Sequence, residues 1–243
     1  MSDVVEGRNA VAELLRSGAP VRRVLVADGV QVSGLAEVER LAASAGVPVE
    51  RRPRRDLDGM SPRGAHQGVV ALTEPFGYAS LGGIIGRAEG SERSLVIVLD
   101  HVTDPGNLGA VVRSAEVAGA AGVVVAKRRS AAIGPGAWKS SAGALAHVPV
   151  AQVTNLARAL RELKDAGYWI AGASEHAEEL AWDAPLDGRL VLVLGSEDRG
   201  LARLTAEACD FLVRLPVAGS VGSLNVAQAA SVLAFEWVRR GRA

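Results

Sequence analysis

Three loops carry the residues whose types and spacing can do chemistry. DHVTDPGNLGAVVRSA (100–115) brings Asp104, Asn107 and Arg113 close together. LGSEDRGL (194–201) places Glu197 just after Gly195, and LPVAGSVGSLNVA (215–227) holds Ser223 and Asn225. Together they supply a cation, two carboxylates, two carboxamides and a hydroxyl. Taken singly, each has a plainer reading: a lone arginine on a helix is solvated, Asn107 closes a turn, Glu197 offsets a helix N-terminus, and Ser223 and Asn225 cap a helix. Absences narrow the chemistry. No G-x-G-x-x-G follows a strand and no G-x-x-x-x-G-K-[ST] occurs, which sets aside the common dinucleotide and nucleoside-triphosphate loops. AGSVG (218–222) approaches the hydrolase elbow, but Ala218 stands in its first glycine place, and no histidine and carboxylate are identified for Ser220.

The elements that must position these loops alternate. Helices are expected at 9–16, 35–45, from an Asp104 cap with Pro105 first to about Ala118, at 155–166 and at 225–239. Strands are expected at 21–27, 47–50, 68–72, 95–99, 122–126, 169–173, 190–194 and 212–215. LVIVL (95–99) and LVLVL (190–194) read as strands buried on both faces, hence a parallel sheet covered by helices. In such sheets ligands bind beyond the carboxyl ends of the strands, where all three loops fall. The Gly- and Ser-rich stretch after Glu74 marks a boundary. The expected organisation is a domain at 1–74, a link and leading helix at 75–92, and a second domain at 93–243, with the link permitting reorientation.

Composition bounds the partners. The chain has 243 residues, 49% of them hydrophobic and only 4% aromatic, so its core rests on Val, Leu, Ala and Ile. Its 27 basic and 27 acidic residues cancel, and any argument for nucleic acid must be local. There is one: no acidic residue lies between Glu116 and Glu162, a stretch containing Lys127, Arg128, Arg129 and Lys139. RRPRR adds Arg51, Arg52, Arg54 and Arg55, flanked by Glu50, Asp56 and Asp58. A single cysteine, Cys209, and four scattered histidines point to neither a disulfide nor a metal site. With no signal peptide and no apolar run long enough for a membrane, a cytoplasmic protein is expected.

In order and spacing the three loops resemble the motifs of the SpoU (TrmH) family of SPOUT methyltransferases. The first resembles D-x-x-x-D-P-x-N-x-G-x-x-x-R-[ST]-A, matched by Asp100, Asp104, Pro105, Asn107, Gly109, Arg113, Ser114 and Ala115. The second resembles L-G-x-E followed by Gly-Leu: Leu194, Gly195, Glu197, Gly200 and Leu201. The third resembles I-P-M-x-G-x-x-x-S-L-N-V: Leu215, Pro216, Gly219, Ser223, Leu224, Asn225 and Val226. AKRRSA, KSSAGAL and HQGVVA (66–71) look like the family's 23S ribosomal RNA branch, so the resemblance spans nearly the whole chain. Three positions depart: the family usually has Met at Val217, Glu at Gly222 and often Gly at Asp198.

The resemblance implies an α/β catalytic domain whose C-terminal part is threaded into a trefoil knot, preceded by a small ribosomal-protein-like RNA-binding domain. It implies S-adenosylmethionine as cofactor, held by Leu194, Gly195, Leu215, Pro216, Gly219, Ser223 and Leu224. It makes Arg113, Asn107, Glu197, Ser223 and Asn225 the catalytic set. Arg113 would bind a phosphate and stabilise developing alkoxide on a ribose 2′-oxygen. Arg51, Arg52, Arg54, Arg55, Lys127, Arg128, Arg129 and Lys139 are the candidate RNA contacts, with no DNA and no membrane as partner. Family members pair through the knotted domain, and the apolar last helix agrees with a homodimer. The expected activity is 2′-O-methylation of a guanosine in 23S ribosomal RNA. Transfer-RNA or antibiotic-resistance methylation, and a catalytically silent ribosome-assembly factor, are the alternatives.

Overall fold

The computed structural model describes residues 4–30, 35–61, 64–220 and 222–241. Its N-terminal unit alternates Val4–Glu6 (β1), Arg8–Arg16 (α1), Val21–Ala27 (β2), Leu35–Ser44 (α2), Val49–Arg52 (β3), Arg54–Met60 (α3) and Val69–Thr73 (β4). The four strands form a mixed sheet in the order β1-β4-β2-β3, with only β2 and β3 parallel. Two of these elements carry no periodic signal in the sequence. β1 is three residues long, too short for a period, and α3 (RRDLDGM) buries only Leu57 and so has no apolar stripe.

Leu81–Gly86 (α4) leads into Ser94–Leu99 (β5), Pro105–Val117 (α5), Gly122–Ala126 (β6), Pro135–Ser141 (α6), Val150–Val153 (β7) and Leu156–Asp165 (α7). Trp169–Ala173 (β8), Arg189–Leu194 (β9), Arg203–Ala208 (α8), Phe211–Val213 (β10) and Val226–Arg240 (α9) follow. The six strands form an all-parallel sheet ordered β10-β8-β9-β5-β6-β7. The two most apolar runs, β5 and β9, are central neighbours, as strands buried on both faces must be. Parallel pairing puts every carboxyl end on one rim, which gathers the loops after β5, β8, β9 and β10.

Between β6 and α7, where only a basic loop was expected, lie α6 and the edge strand β7. α6 (PGAWKSS) is a poor helix by propensity and is held by packing on α5. The crossing is close at Gly109: a Cβ there would lie 2.1 Å from Ser140 Oγ and 2.3 Å from the Ala137 carbonyl oxygen. Gly109→Ala is therefore expected to cost about 2–3 kcal/mol by forcing the helices apart, read as a lower urea midpoint with unchanged slope.

The link at 75–80 is anchored where reorientation was expected. The Ala79 amide donates to the Val150 carbonyl (2.9 Å), extending the sheet edge, and the Ile133 amide donates to the Tyr78 hydroxyl (3.2 Å). Phe76 packs edge-on against Tyr78 and Trp138. At the other end of the chain, the buried Glu236 carboxylate bonds Arg239 and Arg240, which hold its pKa down at about 2. A depressed carboxyl stabilises the fold above its unfolded pKa and ceases to do so as pH falls through the folded one. Glu236→Gln is thus expected to lower the melting temperature at neutral pH, the difference shrinking between about pH 4.5 and pH 2.

Candidate active site

The loop after β9 folds back on itself. The Gly200 amide donates to the Ser196 carbonyl (2.8 Å), and Gly200 adopts a left-handed φ of 62°. Gly195 has no space for a side chain, since a Cβ would lie 2.1 Å from the Gly200 carbonyl carbon. The loop is pinned from beneath by Asp100, which is 1% exposed and whose Oδ2 accepts from the Ala202 amide at 2.7 Å. His101 Nδ1 lies 2.6 Å from Oδ1, at an angle that leaves that oxygen without a formed hydrogen bond. Asp100 therefore joins the first loop to the second.

Asn107, Glu197 and Asn225, one from each loop, form a closed network. Glu197 Oε1 accepts from Asn107 Nδ2 (3.0 Å) and Asn225 Nδ2 (2.7 Å). The second Asn225 N–H donates to Asn107 Oδ1 (3.0 Å), while Asn225 Oδ1 caps α9 through the Ala227 amide (2.9 Å). Asp104 caps α5 through the Asn107 amide (2.7 Å). The Asn225 carboxamide thus has a cap bond and network bonds, and the Asn107 carboxamide donates to Glu197 and accepts from Asn225, which fixes which way each points. The bonds that Glu197 accepts all use Oε1, leaving its Oε2 without a protein partner among the described residues. The cap of α9 is Asn225, so Ser223 is not a helix cap; it lies exposed.

Beside the network opens a cleft of about 630 Å³, within the range of small-molecule sites. All seven residues assigned to the cofactor from sequence line it, with Glu197 and the apolar Leu201, Leu212 and Leu233. Residues 215–220 and 222–224 make no backbone hydrogen bond to a described residue, so their amides and carbonyls are available to a polar ligand. An adenosine with a short charged chain suits this combination of apolar walls and free backbone groups. Three further lining residues, Ser174, Glu175 and His176, follow β8. No motif marked them; the parallel sheet brings them there. Glu175 Oε2 lies 3.7 Å from where a Gly222 Cβ would stand, so a carboxylate from this loop borders the third one.

Arg113 is not part of that network. It is exposed on α5 and makes no hydrogen bond or ion pair with a described residue. It shares a face with Val117 (62% exposed), and α9, joined to α5 by a Ser114–Ser231 hydrogen bond (2.7 Å), adds the exposed Val232 and Phe235. The expected RNA contacts are spread over two regions. Lys127, Arg128 and Arg129 stand exposed after β6, with Lys139 on α6. Arg51, Arg52 and Arg55 pair with Glu39, Glu50 and Asp56, whereas Arg54 has no pairing among the described residues. No cluster of metal-ligating side chains occurs among the described residues, and burial pushes the Cys209 thiol up to about 12, far from a thiolate nucleophile.

Comparison with known proteins gives two family-model matches, SpoU rRNA Methylase family over 94–235 and RNA 2′-O ribose methyltransferase substrate binding over 4–79. A TrmH family tRNA/rRNA methyltransferase, YacO of Bacillus subtilis, is 41% identical over 239 residues, covering 98% of this chain and 96% of that protein. The crystal structure of the SpoU methyltransferase AviRb from Streptomyces viridochromogenes with AdoMet superposes with a TM-score of 0.74 at 28% identity, covering 100% of this chain and 91% of that one. The AdoMet-bound rRNA methyltransferase of Sinorhizobium meliloti does so with 0.67 at 25% identity, covering 99% and 87%. A structure concerned with 2′-OH methylation of C/U34 on tRNA gives 0.54 at 26% identity, covering 63% of this chain and 99% of its own. The parallel α/β sheet and the N-terminal unit are thus those of solved SpoU enzymes.

Proposed function

We propose, because this chain belongs to the SpoU rRNA Methylase family and is an RNA ribose-2′-O-methyltransferase that uses S-adenosylmethionine, that its substrate is a guanosine in 23S ribosomal RNA. The observation that carries the reading is the meeting of three separate loops, through Asn107, Glu197 and Asn225, beside one cleft. For ribosomal over transfer RNA, the rRNA methyltransferase of S. meliloti is matched along 99% of this chain, whereas the neighbour concerned with tRNA matches 63%. HQGVVA and KSSAGAL, which look like the 23S branch, agree.

The cofactor supplies an electrophilic methyl group at the cleft. The chain's own residues then have distinct tasks. Leu194, Gly195, Leu215, Pro216, Gly219, Ser223 and Leu224 hold the cofactor, mainly through backbone groups and close apolar contact. Asn107 and Asn225 fix one oxygen of Glu197 and leave the other to orient a substrate group or receive the proton lost from the 2′-hydroxyl. Arg113 binds the adjoining phosphate and stabilises negative charge on the 2′-oxygen.

Arg113 reaches its task in a homodimer. The face it shares with Val117, Val232 and Phe235 is apolar and uncovered by the described residues of its own chain, as an interface core would be. A second copy covering that face would carry Arg113 towards the partner's cleft. The N-terminal unit, with Arg51, Arg52, Arg54 and Arg55, supplies RNA selection, and Lys127, Arg128, Arg129 and Lys139 add phosphate contacts near the chemistry.

The test is transfer of labelled methyl from S-adenosylmethionine to 23S and transfer-RNA transcripts, with 2′-O-methyl mapping in cells with and without the gene. A site in transfer RNA alone overturns the substrate. Glu197→Gln is expected to keep the melting temperature and cofactor affinity, since both carboxamide bonds to Glu197 use one oxygen that a glutamine retains. Its kcat should fall about 10²-fold if the charge is used in the reaction. An unchanged kcat would confine Glu197 to positioning.

A further inference from the structure

Outside the cleft, the turn His66–Gln67–Gly68–Val69 is held in an unusual way. The Val69 amide donates to the His66 carbonyl (2.8 Å), and φ is 50° at Gln67 and 81° at Gly68. Two successive left-handed residues make a type I′ turn, which favours Asn-Gly or Gly-Gly. Gly68 meets the requirement, and Val30 also leaves it no room, since a Cβ would lie 3.0 Å from a Val30 methyl. Gln67 meets it only with strain.

The turn is fixed from below by His66, which is 1% exposed. Its Nδ1 accepts from the Gly68 amide (2.9 Å), so Nε2 donates to Asp58 Oδ1 (2.8 Å). Asp58 belongs to α3, one helical turn after Arg54 and beside Arg55 in that row. A buried histidine thus couples a strained turn to the helix carrying the two exposed arginines. Gln67 itself is exposed, and its side chain makes no hydrogen bond to a described residue.

We infer that Gln67 reads a base: its carboxamide hydrogen-bonds the edge of an unpaired adenine, while Arg54 and Arg55 take the flanking phosphates. The inference rests on the assignment of RNA selection to the N-terminal unit. A strained, rigidly held turn presenting an unpartnered amide is preorganised for such reading, because little order is lost on binding. A carboxamide offers a donor and an acceptor side by side, and adenine matches it with its 6-amino group beside a ring nitrogen. Unpaired bases are where proteins read RNA sequence. His66 is a positioning residue.

The test titrates full-length protein by fluorescence anisotropy with two RNA hairpins of identical stem. One loop presents adenosines; the other presents purine ribosides, which lack the 6-amino group. The wild type should prefer the adenosine loop about tenfold. Gln67→Gly, which relieves the strain, should melt no lower than the wild type yet bind both loops equally. Arg54→Ala combined with Arg55→Ala should weaken both loops alike and flatten the salt dependence while keeping the preference. No preference in the wild type, or a preference that survives in Gln67→Gly, overturns the role of Gln67 and leaves the N-terminal assignment standing. Full affinity in the double arginine variant overturns that assignment, and the inference with it.

Discussion

Arg113→Ala is expected to lower methyl transfer by about 10²–10³-fold, the scale of losing one charge-stabilising donor at a reacting oxygen, while leaving S-adenosylmethionine affinity within a few-fold. Arg113 does not line the cleft and bonds to none of the described residues, so its removal disturbs neither cofactor walls nor fold. Arg113→Lys should rescue poorly, because one ammonium cannot reproduce the planar fork. The geometry permits a sharper test. Within one chain Asn107 reaches Glu197 from the first turn of α5, but Arg113 lies on a different side of that helix, beside Val117. If the partner subunit supplies the arginine, dimers pairing an Arg113→Ala chain with a chain disabled in its cleft contain one site with an intact cleft and an intact arginine. Such mixed dimers should recover about half the activity per dimer, from parents that are each nearly dead. If cleft and arginine belong to the same chain, both sites carry a defect and mixing restores nothing.

Why this face was only partly legible is a matter of geometry. Spacing placed Arg113 on α5 and the helix cap at Asp104, because capping and apolar periodicity are local. The side of the helix that Arg113 faces depends on how α5 sits against α6 and α9, which no local signal carries. β5 and β9 were readable because a strand buried on both faces must be apolar throughout. β7, an edge strand containing Gln152, and α6, built from Pro, Gly and Ser, owe their conformation to neighbours. Glu175 and His176 were missed for the same reason: they carry no motif, and reach the cleft because β8 is parallel to β9. Asp100 stood in the first motif, yet its work is to bond the Ala202 amide a hundred residues later in the chain. Asn225 is the opposite case, where the plain reading as a helix cap holds and a second set of bonds is added to it. It caps α9 with one atom and joins the Glu197 network with another.

Gly195→Ala is expected to reduce S-adenosylmethionine affinity by about 100-fold or more, equivalent to about 2.7 kcal/mol, with little loss of global stability. The new methyl would lie 2.1, 2.2 and 2.5 Å from the Gly200 carbonyl carbon, its oxygen and the Leu201 nitrogen. All three are backbone atoms, so no side-chain rotation relieves the overlap. The turn at 196–200 must move outward, which pulls the Ala202 amide from Asp100 and draws Glu197 away from Asn225. One wall of the cleft and the network beside it are displaced together. The sheet beneath is untouched, because β5 and β9 pair in full register up to Leu99 and Leu194. Gly200 provides the control. Its requirement is a left-handed φ of 62° with nothing within 4 Å of a Cβ, so Gly200→Asn, a residue that tolerates this conformation, should bind cofactor within a few-fold of wild type. Calorimetric titration of the two variants separates the requirements. Equal, near-normal affinity in both would mean that the closed loop at Gly195 is not what shapes the cofactor site. A large loss in Gly200→Asn with none in Gly195→Ala would place the constraint on backbone conformation instead of close approach.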